Sequence, residues 1–310
     1  MEPAAAAAPL PAPPVHPKRL VFLGTPDMAV PPLQALHAAG FDIALVITGP
    51  DKRRGRGGTV TPTPVKLAAL ALGIPVAHDV DDAATIGADL GVVVAFGQLL
   101  RRPLLERLPM INLHFSLLPR WRGAAPVERA ILAGDERTGV CVMAVEEGLD
   151  TGGVYARSEL VIRQTNTADE LGAQLTEVGS GLLVDALHAG LGAPEPQVGE
   201  PTYAHKVTNE DRHLDWSRPA VELHRVVRVG GAWTTFRGRR LKVLDAQPDP
   251  DHPVPGPDGC GTLDGTRVLT GAGALRLVTL QPQGKGAVAA GDWLNGARPA
   301  PGERLGEAAP

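Results

Sequence analysis

Five short apolar runs, mostly separated by helical patterns, constrain the fold of this chain more than any other feature. In chain order they are RLVFLG, DIALVIT, DLGVVVAFG, MINLHF and GVCVMAV, and all lie between residues 19 and 145. Continuous apolar runs that alternate with helices are typical of strands in a parallel sheet covered on both faces. We therefore expect an α/β domain built on such a sheet.

The character of the sequence changes after a long predicted helix at Asn166–His188, which has Thr167 as its N-cap and Glu170 three residues later. Residues 190–205 are rich in Gly, Pro and polar residues and indicate a linker. Short β-like runs then follow, namely AWTTF, RRLKVLDA, GTRVLT and ALRLVTLQ. Their regular spacing favours a small barrel, and one possibility is an OB-like module of a kind that often binds nucleic acid.

These patterns divide the chain into four parts. We expect a disordered Ala/Pro tail at residues 1–17, an α/β domain at 18–189, a linker at 190–205 and a smaller barrel-like domain at 206–310.

Composition excludes several classes of protein. No apolar run approaches the roughly 18 residues needed to span a bilayer. Cys141 and Cys260 are the two cysteines, far apart and without motif partners, which favours a reducing compartment and a cytoplasmic location over a disulfide framework. The sequence contains neither a CxxC nor an HExxH motif, the patterns that would indicate a metal site.

The formal net charge of −4 conceals a basic segment that follows the second apolar run. Lys52, Arg53, Arg54 and Arg56, called the basic loop below, lie close together with Asp51 as the nearest acid. A local basic cluster in a mildly acidic protein indicates an anionic partner, although the same charges also suit a solvated loop.

The segment INLHFSLLPRWRGAAP carries the strongest chemical signal. Asn112 and His114 are two residues apart on a predicted strand, so their side chains share one face near its carboxyl end. The next run, GVCVMAV, leads into EEGLDTGG and is expected to deliver Asp150 from its own carboxyl end. Singly, these residues suit a core histidine and turn residues, but three polar groups at neighbouring strand ends favour a site.

The motifs that are missing narrow the chemistry of that site. No GxSxG elbow supplies a nucleophile, and LGTPD after the first strand lacks the GxGxxG of a dinucleotide site. Without a nucleophile or a dinucleotide site, the amide, imidazole and carboxylate suit direct acyl transfer between two bound substrates. Asn112 can donate to a tetrahedral oxyanion, His114 can move or hold a proton, and Asp150 can orient the imidazole.

The order Asn-x-His, SLLP, RWRGAAP and then GLDTG resembles the folate-dependent formyltransferases. The resemblance implies a Rossmann-like N-terminal domain, 10-formyltetrahydrofolate as donor and no metal. It also implies Asn112, His114 and Asp150 as the catalytic group. The folate site would be lined by Ser116, Leu117, Leu118 and Pro119.

Three further features are similar to the branch of this family that formylates methionyl initiator tRNA. These are RWRGAAPV, the insertion TGPDKRRGRGGTVTPTPVK, and a C-terminal part with LDWSRPAVELHRVVR, GAWTTFRGRRLKVLDA and VTLQPQGKGAV. The likeness implies that the basic loop and the C-terminal domain bind the tRNA, and that the protein is a monomer.

Departures from the family pattern leave alternatives open. Phe115 replaces a small residue or proline, and a short proline-containing stretch before GAWTTF is missing. A formyltransferase for a small amine is disfavoured by the basic loop and the second domain. An RNA-binding module without activity is disfavoured by the intact Asn-His-Asp set. A catalytically inactive relative is supported only by the departure at Phe115.

Overall fold

The structure, a computed structural model, describes residues 9–54, 59–253 and 259–307. Its contacts divide the chain into two compact units. Unit 1 comprises Met1–Pro126, Arg137–Val161 and Gly172–His205, and unit 2 comprises Val127–Glu136, Ile162–Leu171 and Lys206–Pro310.

The strands and helices follow the predicted order closely. The strands of unit 1 are β1 (Arg19–Gly24), β2 (Asp42–Ile47), β3 (Lys52–Arg54), β4 (Thr59–Thr61), β5 (Val76–Ala77), β6 (Leu90–Val94), β7 (Met110–His114), β8 (Arg122–Gly123), β9 (Arg137–Ala144), β10 (Val154–Val161) and β11 (Tyr203–Ala204). Those of unit 2 are β12 (Trp233–Phe236), β13 (Arg239–Asp249), β14 (Leu263–Asp264), β15 (Arg267–Leu269), β16 (Ala274–Pro282) and β17 (Val288–Ala289). The helices are α1 (Val30–Ala38), α2 (Pro64–Ala71), α3 (Arg102–Leu105), α4 (Pro126–Ala133), α5 (Ala168–Ala189), α6 (Ala220–Val229) and α7 (Ala290–Ala297), with short 3-10 helices at Asp27–Ala29 and Val80–Ala84.

A seven-stranded sheet with the order β10-β9-β7-β6-β1-β2-β5 forms the centre of unit 1. The strands from β7 to β5 are all parallel, as the apolar runs predict, and the α/β fold is confirmed. The expectation of a wholly parallel sheet is wrong at one edge, because β9 runs antiparallel to β7 and β10 antiparallel to β9. Burial on both faces gives β9 the same apolar sequence as its parallel neighbours, so the sequence pattern does not encode its direction.

Helix α5 begins at the predicted capping box. The Thr167 hydroxyl accepts from the Glu170 backbone N–H at 3.2 Å, and a Glu170 carboxylate oxygen accepts from the Thr167 N–H at 2.9 Å. Both hydrogen bonds satisfy backbone donors that have no partner inside the helix.

The described part of the predicted Ala/Pro tail differs from a disordered chain. Leu10 packs against the apolar cluster on one face of the unit 1 sheet, and the Val15 carbonyl accepts from the Leu191 N–H at 2.7 Å. Leu10 is the one large apolar residue among the prolines and alanines near it, so its burial gives this segment a fixed position.

Three residues of the basic loop, Lys52, Arg53 and Arg54, form β3, which pairs with β4 in a hairpin between β2 and α2. An ion pair at the base of this hairpin joins Lys66 Nζ to Asp51 Oδ2 at 2.7 Å. Beside it, the hydroxyls of Thr48 and Thr63 are buried and 2.8 Å apart.

Unit 2 contains a six-stranded antiparallel sheet, β12-β13-β16-β15-β14 with β17 paired to β16, around an apolar core to which α6 and α7 contribute. Residues 303–306 connect its two edges. Leu305 N–H donates to the Gly261 carbonyl and Gly306 N–H donates to the Thr235 carbonyl, each at 2.9 Å. The C-terminal segment thus joins both edges of the sheet, as a small barrel requires.

Two segments that the sequence assigns to the first domain, 127–136 and 162–171, belong to unit 2 by their contacts. Leu132 on α4 packs against the unit 2 core, and the Arg228 guanidinium donates to the Asn166 carbonyl at 2.6 Å. Contacts over such distances in sequence have no local signal.

Candidate active site

Strand β7 lies between β6 and β9, and its register fixes the positions of the two predicted catalytic residues. Asn112 is opposite Val93 on one side and Met143 on the other, and His114 is opposite Cys141. Leu113 between them is buried in the core. Alternation along the strand therefore directs Asn112 and His114 to the same face.

His114 is 4% exposed and both of its ring nitrogens face oxygen atoms. Nε2 donates to the Trp121 carbonyl at 2.9 Å, since a carbonyl can only accept. Nδ1 lies 3.7 Å from Oδ2 of Asp150. This separation is too long for a direct hydrogen bond, but it is short enough for the carboxylate to stabilise a positive charge on the ring.

Asp150 reaches His114 by a route that the sequence did not indicate. The antiparallel strand β9 ends at Ala144 beside Ile111, so its carboxyl end lies away from His114. The expectation that β9 delivers Asp150 from a shared carboxyl edge is therefore wrong. The loop 145–153 instead returns the carboxylate to the ring, and its Oδ2 accepts from the Gly123 N–H at 2.7 Å.

The backbone around the two residues has an uncommon conformation. Asp150 has φ of +51° and Trp121 has φ of +63°, both in the left-handed region. Gly123 has φ of +116°, and a Cβ at this position would lie 3.1 Å from the Ala204 carbonyl oxygen. A glycine is therefore required where the loop presents its N–H to Asp150.

Asn112 is half-buried, and its side-chain amide makes no hydrogen bond to the residues that the structure describes. An amide with free N–H groups on the face shared with His114 is available to a bound substrate. Of the three residues, Asn112 is the one whose side chain has no partner in the described part of the protein.

The four predicted folate-site residues occupy the turn after β7. Ser116 is fully buried and its hydroxyl donates to the Arg120 carbonyl at 2.5 Å, while Leu118 packs against Cys141 in the core. Leu117 and Pro119 are half-buried, and the Leu118–Pro119 peptide bond is cis. Ser116 and Leu118 therefore shape the turn, and Leu117 and Pro119 keep accessible surface.

Phe115, the departure noted in the sequence, is 5% exposed. Burial raises the pKa of the Cys141 thiol, and Cys141 has none of its surface exposed. Both side chains are therefore part of the core, and the Cys141 thiol is not accessible to solvent.

The predicted tRNA-binding residues are only partly described. Lys52 is exposed on β3, and Arg53 and Arg54 follow it on the same strand. Arg56 lies outside the described residues.

Sequence reasoning missed the residues that hold this site in place. Gln197 and Thr202 lie in the predicted linker, yet the Thr202 hydroxyl accepts from the Trp121 N–H at 2.9 Å and its carbonyl accepts from the Arg122 N–H at 2.8 Å. Strands β8 and β11 pair in parallel next to these contacts. The Gly- and Pro-rich composition of residues 190–205 gave no signal of this role.

Two further features of the described residues concern metal binding and membrane insertion. No group of three or more His, Cys, Asp or Glu side chains lies close enough together there to hold a metal ion. Among the helices in the same part of the chain, none is both long and apolar enough to cross a membrane.

The comparisons with known proteins agree with the fold. Residues 18–187 match the model of the formyl transferase family, and residues 206–298 match that of the formyl transferase C-terminal domain. The chain belongs to the formyl transferase family and is a formyl-transferring enzyme.

Curated relatives with high coverage come from one branch of this family. The methionyl-tRNA formyltransferase of Ruegeria pomeroyi is 44% identical over 304 residues, which is 93% of this chain and 100% of that protein. The methionyl-tRNA formyltransferase of Streptomyces coelicolor is 43% identical over 311 residues, with the same coverage of 93% and 100%.

Solved structures share the fold at lower identity. WlaRD, a sugar 3N-formyl transferase crystallised in the presence of dTDP and 5-N-formyl-THF, has a TM-score of 0.63 at 17% identity, covering 86% of this chain and 98% of that one. The N-formyltransferase of Helicobacter canadensis has a TM-score of 0.62 at 14% identity, covering 84% and 98%.

Proposed function

We propose that this enzyme transfers the formyl group of 10-formyltetrahydrofolate to the α-amino group of methionyl initiator tRNA, for translation initiation. Relatives that are 41–44% identical over nearly the whole chain support this choice of reaction. The observation that carries it is the geometry on β7. An unpartnered Asn112 amide shares a face with His114, and the Asp150 carboxylate lies 3.7 Å from the imidazole.

The reaction needs the amine in its neutral form. Its nitrogen attacks the formyl carbon, so a new C–N bond forms and the carbonyl oxygen becomes a tetrahedral oxyanion. The bond from the formyl carbon to the folate nitrogen then breaks, and the proton lost by the amine balances the charge left on that nitrogen. Both steps pass through the oxyanion, so its stabilisation accelerates both.

Asn112 is suited to hold the oxyanion. Its amide N–H groups make no hydrogen bond to the described residues, and they lie on the same face of β7 as His114. A single positioned donor of this kind typically contributes about 2.7–4 kcal/mol of transition-state stabilisation. The donor costs little to orient because the strand backbone on both sides is paired.

His114 serves either as a cation beside the oxyanion or as a relay that moves the proton towards the departing folate nitrogen. In both roles the ring carries a positive charge during the reaction. Asp150 stabilises that charge from the Nδ1 side, while the Trp121 carbonyl fixes the ring through Nε2. General acid–base catalysis by a positioned side chain typically contributes about 10²–10⁴-fold.

The folate and tRNA contacts are assigned on the family resemblance together with the placement described above. Leu117 and Pro119 have accessible surface for the donor, on a turn that Ser116 and Leu118 shape. The basic loop and the domain at 206–310 bind tRNA phosphates. We further infer that the enzyme acts as a monomer in the cytoplasm.

The test is a formylation assay with three acceptors. Purified enzyme and 10-formyltetrahydrofolate are mixed with methionyl initiator tRNA, methionyl elongator tRNA or free methionine, and formyl-methionine is measured. We expect product only with the initiator tRNA. Product on small amines but on no tRNA would contradict the proposed acceptor and would leave the basic loop without its role.

A further inference from the structure

One glutamine side chain connects the two loops that position His114 and Asp150. The Gln197 carbonyl Oε1 accepts from Nε and Nη2 of Arg122, at 3.1 and 2.6 Å. Its Nε2 donates to the backbone carbonyls of Asp150 and Gly152, each at 2.8 Å. Guanidinium nitrogens can only donate and carbonyls can only accept, so the partners determine the orientation of the amide.

Each loop that Gln197 binds carries a contact of the catalytic pair. On the Arg122 side, the Trp121 carbonyl accepts from His114 Nε2 and the Gly123 N–H donates to Asp150 Oδ2. On the other side, the bound carbonyls belong to Asp150 itself and to Gly152. The separation between imidazole and carboxylate therefore depends on both loops at once.

The backbone at Asp150 needs such support. Its φ of +51° is uncommon for a residue with a side chain, and it persists only where the surroundings determine it. Two hydrogen bonds from one amide, to the carbonyls of Asp150 and Gly152, fix the peptide groups around that residue.

The structure assigns Gln197 as a positioning residue for formyl transfer, acting through Asp150 and His114. This assignment rests on the proposed function of those two residues. It places part of the catalytic apparatus in a segment whose composition is that of a linker. Gln197 itself is not a catalytic residue, since no substrate contact is invoked for it.

Two substitutions test the amide, one that removes only its donor end and one that removes both ends. Gln197→Glu keeps an acceptor for Arg122 but places a second carboxylate oxygen against the carbonyls of Asp150 and Gly152. Gln197→Met keeps the length and removes both ends. Val198→Ala is the matched control, because the neighbouring Val198 is 86% exposed.

We expect kcat to fall about 10- to 100-fold in both Gln197 variants, because a small misplacement of catalytic groups has effects of this size. We expect KM for the donor and for methionyl-tRNA to change less than about threefold, and Val198→Ala to match the wild type. In an Asp150→Asn background, Gln197→Met should cost clearly less than in the wild type, because part of its effect passes through the carboxylate already removed. Equal losses in both backgrounds, or loss through KM alone, would overturn the assignment.

A measurement without substrate keeps this test independent of the proposed reaction. In spectra of ¹⁵N-labelled histidine rings, Gln197→Glu and Gln197→Met should shift the His114 resonances and leave those of His224 in unit 2 unchanged. Unchanged His114 resonances in the folded variants would refute the positioning role. A wild-type enzyme that forms no formyl-methionine would refute the proposed function instead, while these spectra still decide the role of Gln197.

Discussion

Replacement of Asp150 by Asn removes a single negative charge from the proposed site and changes little else. The two side chains have nearly the same size, and the Asn carbonyl oxygen can still accept from the Gly123 N–H that Oδ2 binds at 2.7 Å. The left-handed backbone at this position is also compatible with Asn. We therefore expect the variant to fold like the wild type.

The magnitude follows from the distance between the two groups. Oδ2 of Asp150 lies 3.7 Å from Nδ1 of His114. Two unit charges about 4 Å apart interact by about 4 kcal/mol at an effective dielectric constant near 20, a value suited to partly solvated sites. Since each 1.36 kcal/mol changes a rate tenfold, losing the carboxylate charge should slow transfer about 10³-fold if the ring is cationic in the transition state.

The assay is the initial rate of formyl-methionyl-tRNA formation at saturating donor and acceptor. Circular dichroism and thermal melting would establish that Asp150→Asn is folded, and Asp185→Asn, a change at an exposed position of α5, is the control. We expect near-normal rates for the control. A folded Asp150→Asn enzyme within about threefold of the wild type would refute the role of the carboxylate.

Two further predictions concern the tRNA and the C-terminal unit. Serine at all four basic-loop positions should weaken tRNA binding and reduce the slope of log K against log salt by up to about 3.6, at about 0.7–0.9 per lost phosphate contact, whereas Arg101→Ser should not. An unchanged slope in a filter-binding titration would contradict the proposed contacts. Burial lowers the pKa of His224 to about 4, with the Arg228 cation as a smaller cause. An unfolded histidine has a pKa near 6.5, so the unfolded state binds more protons between these values, and stability should fall as the pH drops from about 6.5 to 4. The full shift corresponds to about 3 kcal/mol, which partial exposure reduces to about 1–2 kcal/mol. In urea titrations, His224→Gln should lose less unfolding free energy between pH 6.5 and 4 than the wild type does. The control His37→Gln should lose as much as the wild type. Equal losses in His224→Gln and His37→Gln would refute this cause.

Local signals in the sequence predicted most of the elements. The strands at residues 19–24 and 110–114 follow from apolar runs, and the start of α5 follows from the Thr167 and Glu170 capping pair. Asn112 and His114 share a face because strand alternation requires it. Each of these features depends on residues that are neighbours in sequence.

Features set by distant contacts were not predictable in this way. The direction of β9 depends on how the chain returns to the sheet, so the route by which Asp150 reaches His114 was misjudged. Gln197 is separated by 47 residues from Asp150 and by 75 from Arg122, and its hydrogen bonds leave no periodic pattern. The role of the Gln197 amide could therefore not be predicted in a segment whose composition is typical of a linker.

The most direct test of the central claim is a single-turnover measurement of formyl transfer with enzyme in excess over methionyl initiator tRNA. A labelled formyl donor is mixed with wild-type enzyme or with Asn112→Leu, which preserves size and removes the oxyanion donor. We expect labelled formyl-methionine from the wild type and a transfer rate about 10²–10³-fold lower in the variant, with tRNA binding unchanged. Equal transfer rates in the two enzymes would contradict the claim.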